Sequence, residues 1–195
     1  MILEGLITTV DATGLPHVSA LGVEVDPDFA RMELRPFRTS RTYEHLIHRQ
    51  QAVFHVSDDV ESIARVVCGG NWPVDAFEPA RQVEGFILRS ACRAYELQIL
   101  TPIGDGLRVA IPARIVATHR LREFFGFNRA KHAVVEAAIL ATRLGFLPRE
   151  EIESKWACLK PLVEKTGGPS ERAAFEKLSA FVAQAQRTPA ELLPD

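Results

Sequence analysis

Over the first two-thirds of the chain, apolar residues come in short blocks that alternate with polar ones or run β-branched, a pattern that predicts strands rather than helices. Residues 2–10, ILEGLITTV, form the first block, DATGLP supplies a turn, and residues 17–25 form the second, so the two read as a hairpin. DPDFA is the next turn, and RMELR alternates as a third strand that Pro36 ends. Beyond it, Thr39-Ser40-Arg41-Thr42 precedes YEHLIHRQ, in which Tyr43, Leu46 and Ile47 fall at helical spacing, so the hydroxyl residues stand where a helix N-cap belongs. QAVFHVS reads as a fourth strand and DDVESIARVV as a short helix opened by Asp58 and Asp59. Residues 69–80, GGNWPVDAFEPA, read as an irregular loop, and residues 82–88, 91–100 and 107–118 as three further strands. Seven or so short strands with few helices predict a closed or partly closed antiparallel barrel.

From about Leu121 the period changes. FNRAKHAVVEAAILATRLG is a long apolar helical run with Gly145 as its stop, PREEIESKWACLKPLVEKTGG starts on Pro148 and acids, and PSERAAFEKLSAFVAQAQR repeats those start signals. Pro161 is expected to kink or divide the second of these helices. The sequence thus predicts a mainly β protein with α, a barrel over residues 1–118 and a helical subdomain over residues 119–195.

Composition narrows the function classes. The chain has 195 residues, 47% hydrophobic and 25% charged, the balance of a folded protein, and a formal charge of −2 excludes a strongly basic nucleic-acid binder. No apolar stretch is long enough to span a membrane, and MILEGLITTV has no basic leader, so a cytoplasmic protein without a membrane partner is expected. Cys68, Cys92 and Cys158 are far apart and form no C-x-x-C pair, which argues against a disulfide framework or a zinc site; no metal is expected.

Every basic side chain before Lys131 other than histidine is an arginine, and residues 31–49 hold five of them against Glu33 and Glu44. Arginine's fork of donors suits phosphate. Arg35, Arg38, Arg41, Thr39, Ser40 and Thr42 surround a predicted strand end and helix start, where free backbone N–H groups and the helix dipole also favour an anion. The alternative is a capped helix with an empty arginine-rich face. A second polar cluster, Asn128, Arg129, Lys131 and His132, crowds the first turns of an apolar helix. Cations disfavour that position, so a cofactor phosphate, a substrate carboxylate or Glu136 would each relieve the cost; a solvated face is the other reading. His55, on a strand beside large apolar residues, reads as structural, His45 and His48 as a surface pair, and Asp58 and Asp59 as helix caps.

MILEGLITT, PHVSALGV, LRPFRTSRTYEHL, VFHVSDD and GFNRAKHAVVEAAILATRLG together resemble domain-of-unknown-function family 447, prokaryotic proteins related to the flavin-reductase-like FMN split barrels. The resemblance spans most of the chain. It implies an FMN whose phosphate lies near Arg35, Thr39, Ser40, Arg41 and Thr42, with His17, Val18, Ser19 and Ala20 lining the isoalloxazine ring at a homodimer interface. Asn128 and Lys131 are candidate donors from the helical part. The family pattern has an asparagine where this chain has His45, which therefore stays outside the implied site. The implied activity is that of a flavin-dependent oxidoreductase fed by a nicotinamide or deazaflavin donor, with no catalytic acid or base identified. A non-catalytic flavin-binding or sensing protein and a cofactor-free interaction domain are the alternatives.

Overall fold

The computed structural model describes residues 1–29 and 31–185. The chain divides into a barrel unit, Met1–Ser57 with Trp72–Phe124, and a helical unit, Asp58–Asn71 with the described residues from Phe125 onward.

The barrel unit contains β1 (Ile2–Val10), β2 (Pro16–Val25), β3 (Arg31–Leu34), α1 (Arg41–Arg49), β4 (Gln51–Val56), β5 (Phe77–Pro79), β6 (Phe86–Leu88), β7 (Arg93–Ile99) and β8 (Ile111–Arg120). Six of these strands close in the order β1-β2-β3-β8-β7-β4, every neighbouring pair with a strand register being antiparallel. The first hairpin is fixed by Asp11, whose carboxylate accepts from the backbone N–H groups of Thr13 and Leu15 and from the Thr13 hydroxyl, while Gly14 takes a φ of 90° in the turn. Period-two alternation then sorts the side chains. Ile7, Val23, Met32, Leu34, Phe54 and Leu97 fill the interior, and Leu46 of α1 packs onto that core.

On the outer face of β4 and β7, Val53 and Ala94 form a second cluster with Val83 and Ile87 of the covering stretch, residues 72–92. Here the structure departs from the pattern. Only Phe86–Leu88 of the expected strand over residues 82–88 is extended in a ladder, because the N–H groups of Arg81, Gln82 and Val83 turn inward onto the Glu96 carboxylate at 2.8, 2.5 and 3.0 Å. The expected loop over residues 69–80 contains β5, which pairs with β6. That hairpin is tied to the barrel by the Leu88 N–H donating to His55 Nε2 and by the Thr8 hydroxyl donating to the Phe86 carbonyl. The last strand begins at Ile111 rather than at residue 107, and β7 pairs with it across a bulge at Glu96/Leu97.

The helical unit contains α2 (Val60–Val67), α3 (Arg129–Ala141), α4 (Arg149–Thr166) and α5 (Pro169–Ala185). α2 packs on α3 and α5, so residues 58–71 join this unit although they lie well before residue 119. α3 ends at Ala141 rather than at Gly145, which instead takes a φ of 85° in the turn that follows. Pro161 does not divide α4, which runs through it as one helix. Residues 186 and 187 of the third predicted helix lie outside the described residues. Among the described residues, no helix is long and apolar enough to cross a membrane.

Candidate functional site

The chain leaves β3 at Pro36 and makes one tight turn before α1. Ser40 closes that turn, its N–H and hydroxyl both donating to the Phe37 carbonyl at 3.0 and 2.7 Å. With an extended backbone (φ −83°, ψ 148°) it also caps α1, its Oγ accepting from the Tyr43 N–H at 3.2 Å. The backbone N–H groups of Arg41 and Thr42 have no acceptor among the described residues. The exposed Thr39 hydroxyl and Arg41 guanidinium likewise make no hydrogen bond or ion pair among the described residues. Arg38 has one long contact, to the Gly104 carbonyl at 3.3 Å. These donors converge on the positive end of a helix, the arrangement that recruits phosphate. Arg35 differs. It is held by Glu33 and Glu24 at 2.7 and 3.1 Å in an exposed cluster, an interaction of small net stability that an incoming dianion can displace.

β2 runs alongside. β3 pairs only with Val23–Val25 of β2, so residues 16–22 have β1 on one edge and no strand on the other among the described residues. The register places Ser19 opposite Ile7 and His17 opposite Thr9, on the face that looks inward, and Val18 and Ala20 opposite Thr8 and Leu6, on the face that looks outward. The four residues of the predicted ring-lining run therefore divide between two faces. His17 and Ser19 join the start of α1: Ser19 Oγ lies 2.5 Å from Thr42 Oγ1 and 3.0 Å from His17 Nε2. Beside them His45 Nδ1 meets Thr9 Oγ1 at 2.9 Å, and the His17 and His45 rings meet edge to face at 5.3 Å.

Burial, then the nearby Arg41 charge and His45, push the His17 imidazole down to about 4. Burial also lowers His45. Both rings are thus neutral near pH 7, beneath a cationic helix start. His17 has no hydrogen-bonded carboxylate among the described residues, so the Ser19–His17 contact lacks the orienting group of an activated nucleophile. Among the described residues, the groups presented here are donors suited to an anion rather than an activated nucleophile.

Asn128 and Lys131 belong to the helical unit. Asn128 caps α3, its Oδ1 accepting from the N–H groups of Ala130 and Lys131 while its amide donates to the Thr166 carbonyl. Lys131 Nζ donates to the Asp58 carbonyl at 2.6 Å and pairs with Glu171 at 3.1 Å. Glu171, rather than Glu136, is the carboxylate that pairs with Lys131 at this helix start. Asp59 caps α2, whereas Asp58 is buried and its carboxylate accepts from the Phe125 N–H.

Two polar features escaped the sequence. His45 is turned toward Thr9 rather than forming a surface pair with His48, and no local signal marks it. Glu96 is fully buried, pairing with His119 at 2.6 Å. Burial alone would raise its carboxyl, but the N–H groups of Arg81 and Gln82 and the His119 ring outweigh that and hold it below the usual value.

A barrel of this topology with helices beyond it has the fold of the flavin-reductase-like split barrels. The family model described as the N-terminal domain of protein of unknown function DUF447 matches residues 3–122, and its C-terminal counterpart matches residues 128–180. The chain belongs to the DUF447 family. Among solved structures, it is similar to an FMN-bound DUF447 protein of Methanosarcina mazei (TM-score 0.81, 19% identity, covering 92% of this chain and 94% of that one). More distantly it resembles the 2-nitrobenzoate 2-nitroreductase of Pseudomonas fluorescens (TM-score 0.51, 18% identity, 60% and 64% covered). Flavoredoxin of Desulfovibrio vulgaris matches at TM-score 0.50 and 12% identity, with 61% and 69% covered. No curated protein matches the sequence.

Proposed function

We propose that this protein binds FMN and works as a flavin-dependent oxidoreductase of the flavin-reductase type. One observation carries the reading: N–H, hydroxyl and guanidinium donors that are unsatisfied among the described residues converge at the start of α1, beside the stretch of β2 that no second described strand covers. The fold is shared with an FMN-bound member of the same family. Thr39, Arg38, Arg41 and the N–H groups of Arg41 and Thr42 hold the phosphate, and Arg35 can join them from its surface ion pairs. Ser40 positions this set by capping the helix. The neutral Ser19–His17 pair and the small, exposed Ala20 border the uncovered edge, where a flat polar ring can approach the backbone. Asn128 and Lys131 are committed to bonds within the helical unit and are not part of this set.

FMN, when bound, would supply the redox chemistry, with a nicotinamide or a deazaflavin as the small-molecule hydride donor. The chain's own contribution is to bind and orient. A homodimer would complete each site by covering the ring.

The test compares two ligands. Arg41→Ala removes a charge-assisted hydrogen bond worth roughly 1.5 to 3 kcal/mol, which weakens FMN about ten- to a hundredfold. Riboflavin, lacking the phosphate, should bind variant and wild type alike. Equal losses for both ligands, or none for either, in a fluorescence-quenching titration would remove Arg41 from the site.

A further inference from the structure

The barrel unit holds a concave space away from the proposed flavin site. A cavity of about 220 Å³ opens where β1 begins, with Leu3, Phe29, Val56 and Tyr95 as apolar walls and Arg93 and Arg122 as exposed ones. Along β1, roughly 20 Å of strand separates Leu3 from Thr9, beside which α1 lies. The two sites are therefore at different ends of the barrel.

Tyr95 is the informative residue. It is only 5% exposed, yet its hydroxyl makes no hydrogen bond with any described residue. Buried tyrosine hydroxyls ordinarily find a partner, so an unpartnered one against a cavity marks a position for a polar atom from outside the chain. Its ring stacks on Phe29, with centroids 5.9 Å apart and planes at 23°. Phe29 itself has a φ of 52°, a left-handed conformation that bulky side chains avoid, and the chain maintains it while keeping that ring in the cavity wall.

The charge at the rim is positive. Arg93 is exposed and its guanidinium makes no hydrogen bond or ion pair among the described residues. Arg122 is fixed by its bonds to the Ser90 and Glu123 carbonyls at 3.0 and 3.1 Å. The one carboxylate on the rim, Glu123, is already paired with Arg120.

We propose that this cavity binds a small organic anion, a monocarboxylate with a planar aromatic or compact branched body. The body lies against Phe29, Tyr95, Leu3 and Val56, the carboxylate faces Arg93, and the Tyr95 hydroxyl takes a polar atom of the ligand. The size fits, since an apolar cavity of about 150 Å³ already admits benzene.

Benzoate and its uncharged analogue benzyl alcohol are suitable probes, titrated into the isotopically labelled full chain and followed by NMR. Benzoate should shift the resonances of Leu3, Val56 and Tyr95. Arg93→Ala, at an exposed position that the fold does not need, should weaken benzoate about tenfold or more while leaving benzyl alcohol and FMN affinity unchanged. Tyr95→Phe, which keeps the ring, should weaken benzoate without lowering the melting temperature. Shifts absent even at tens of millimolar would mean a cavity that holds water only, and would overturn the proposal. Equal benzoate affinity in wild type and Arg93→Ala would overturn it as well.

Discussion

His55 has no exposed surface, and both ring nitrogens are engaged, Nδ1 with the Leu6 carbonyl at 3.3 Å and Nε2 with the Leu88 N–H at 3.0 Å. The residue that reads in sequence as a structural histidine is the pin that fastens the β5–β6 hairpin. Accepting from Leu88 requires an unprotonated Nε2, and burial pushes the imidazole from its ordinary 6.5 down to about 3. The unfolded chain therefore binds a proton on this residue between those values while the folded chain does not. Stability is fully present above pH 6.5 and declines as pH falls toward 3, with His17, at about 4, adding to the slope over much of the same window. The expected outcome is a urea midpoint that drops steadily from pH 7 to pH 4. A midpoint that stays flat over that range would mean that neither imidazole is held neutral by the fold.

α3 shows how local chemistry and distant contacts divide the work of specifying an element. Its start is legible in sequence as polar residues before an apolar run, whereas the capping role of Asn128, with two N–H groups held on its side-chain oxygen, is seen only in the structure. Asn128→Ala should cost about 1 to 2 kcal/mol in chemical denaturation and leave FMN affinity where it was. A loss of FMN binding without a loss of stability would instead return Asn128 to the cofactor site. α1 was legible for the same reason, because a hydroxyl-rich turn ahead of Tyr43, Leu46 and Ile47 is a local signal. β5 and the inward turn at residues 81–83 were not. The cause of the inward turn is the Glu96 carboxylate, more than a dozen residues away in sequence, and β5, a three-residue strand, has too few positions to show a period. Tyr95 escaped too, since an aromatic residue on a strand looks like core until its hydroxyl is found without a partner. Pairing register, finally, separates Val18 and Ala20 from His17 and Ser19, a division that a run of four candidates had concealed.

The single chain leaves large apolar side chains open to solvent in both units: Leu15, Ile103 and Leu107 in the barrel unit, and Phe125, Phe127 and Phe146 in the helical unit, Phe127 being 95% exposed. These side chains are apolar surface that the homodimer proposed above could bury. Sedimentation at micromolar concentration should therefore give the mass of a dimer; a flavin-loaded monomer would refute the arrangement. The path of the chain adds a constraint of another kind. It leaves the barrel after Ser57 to make α2, returns at Trp72, and leaves again after Phe124, so the helical unit is assembled from two separate stretches, the first inserted between barrel strands. A segment spliced on after Phe124 would carry α3, α4 and α5 but not α2. Any recombination that exchanges the whole helical unit must therefore cut the chain within the barrel, after residue 57 and before residue 72, as well as after residue 124.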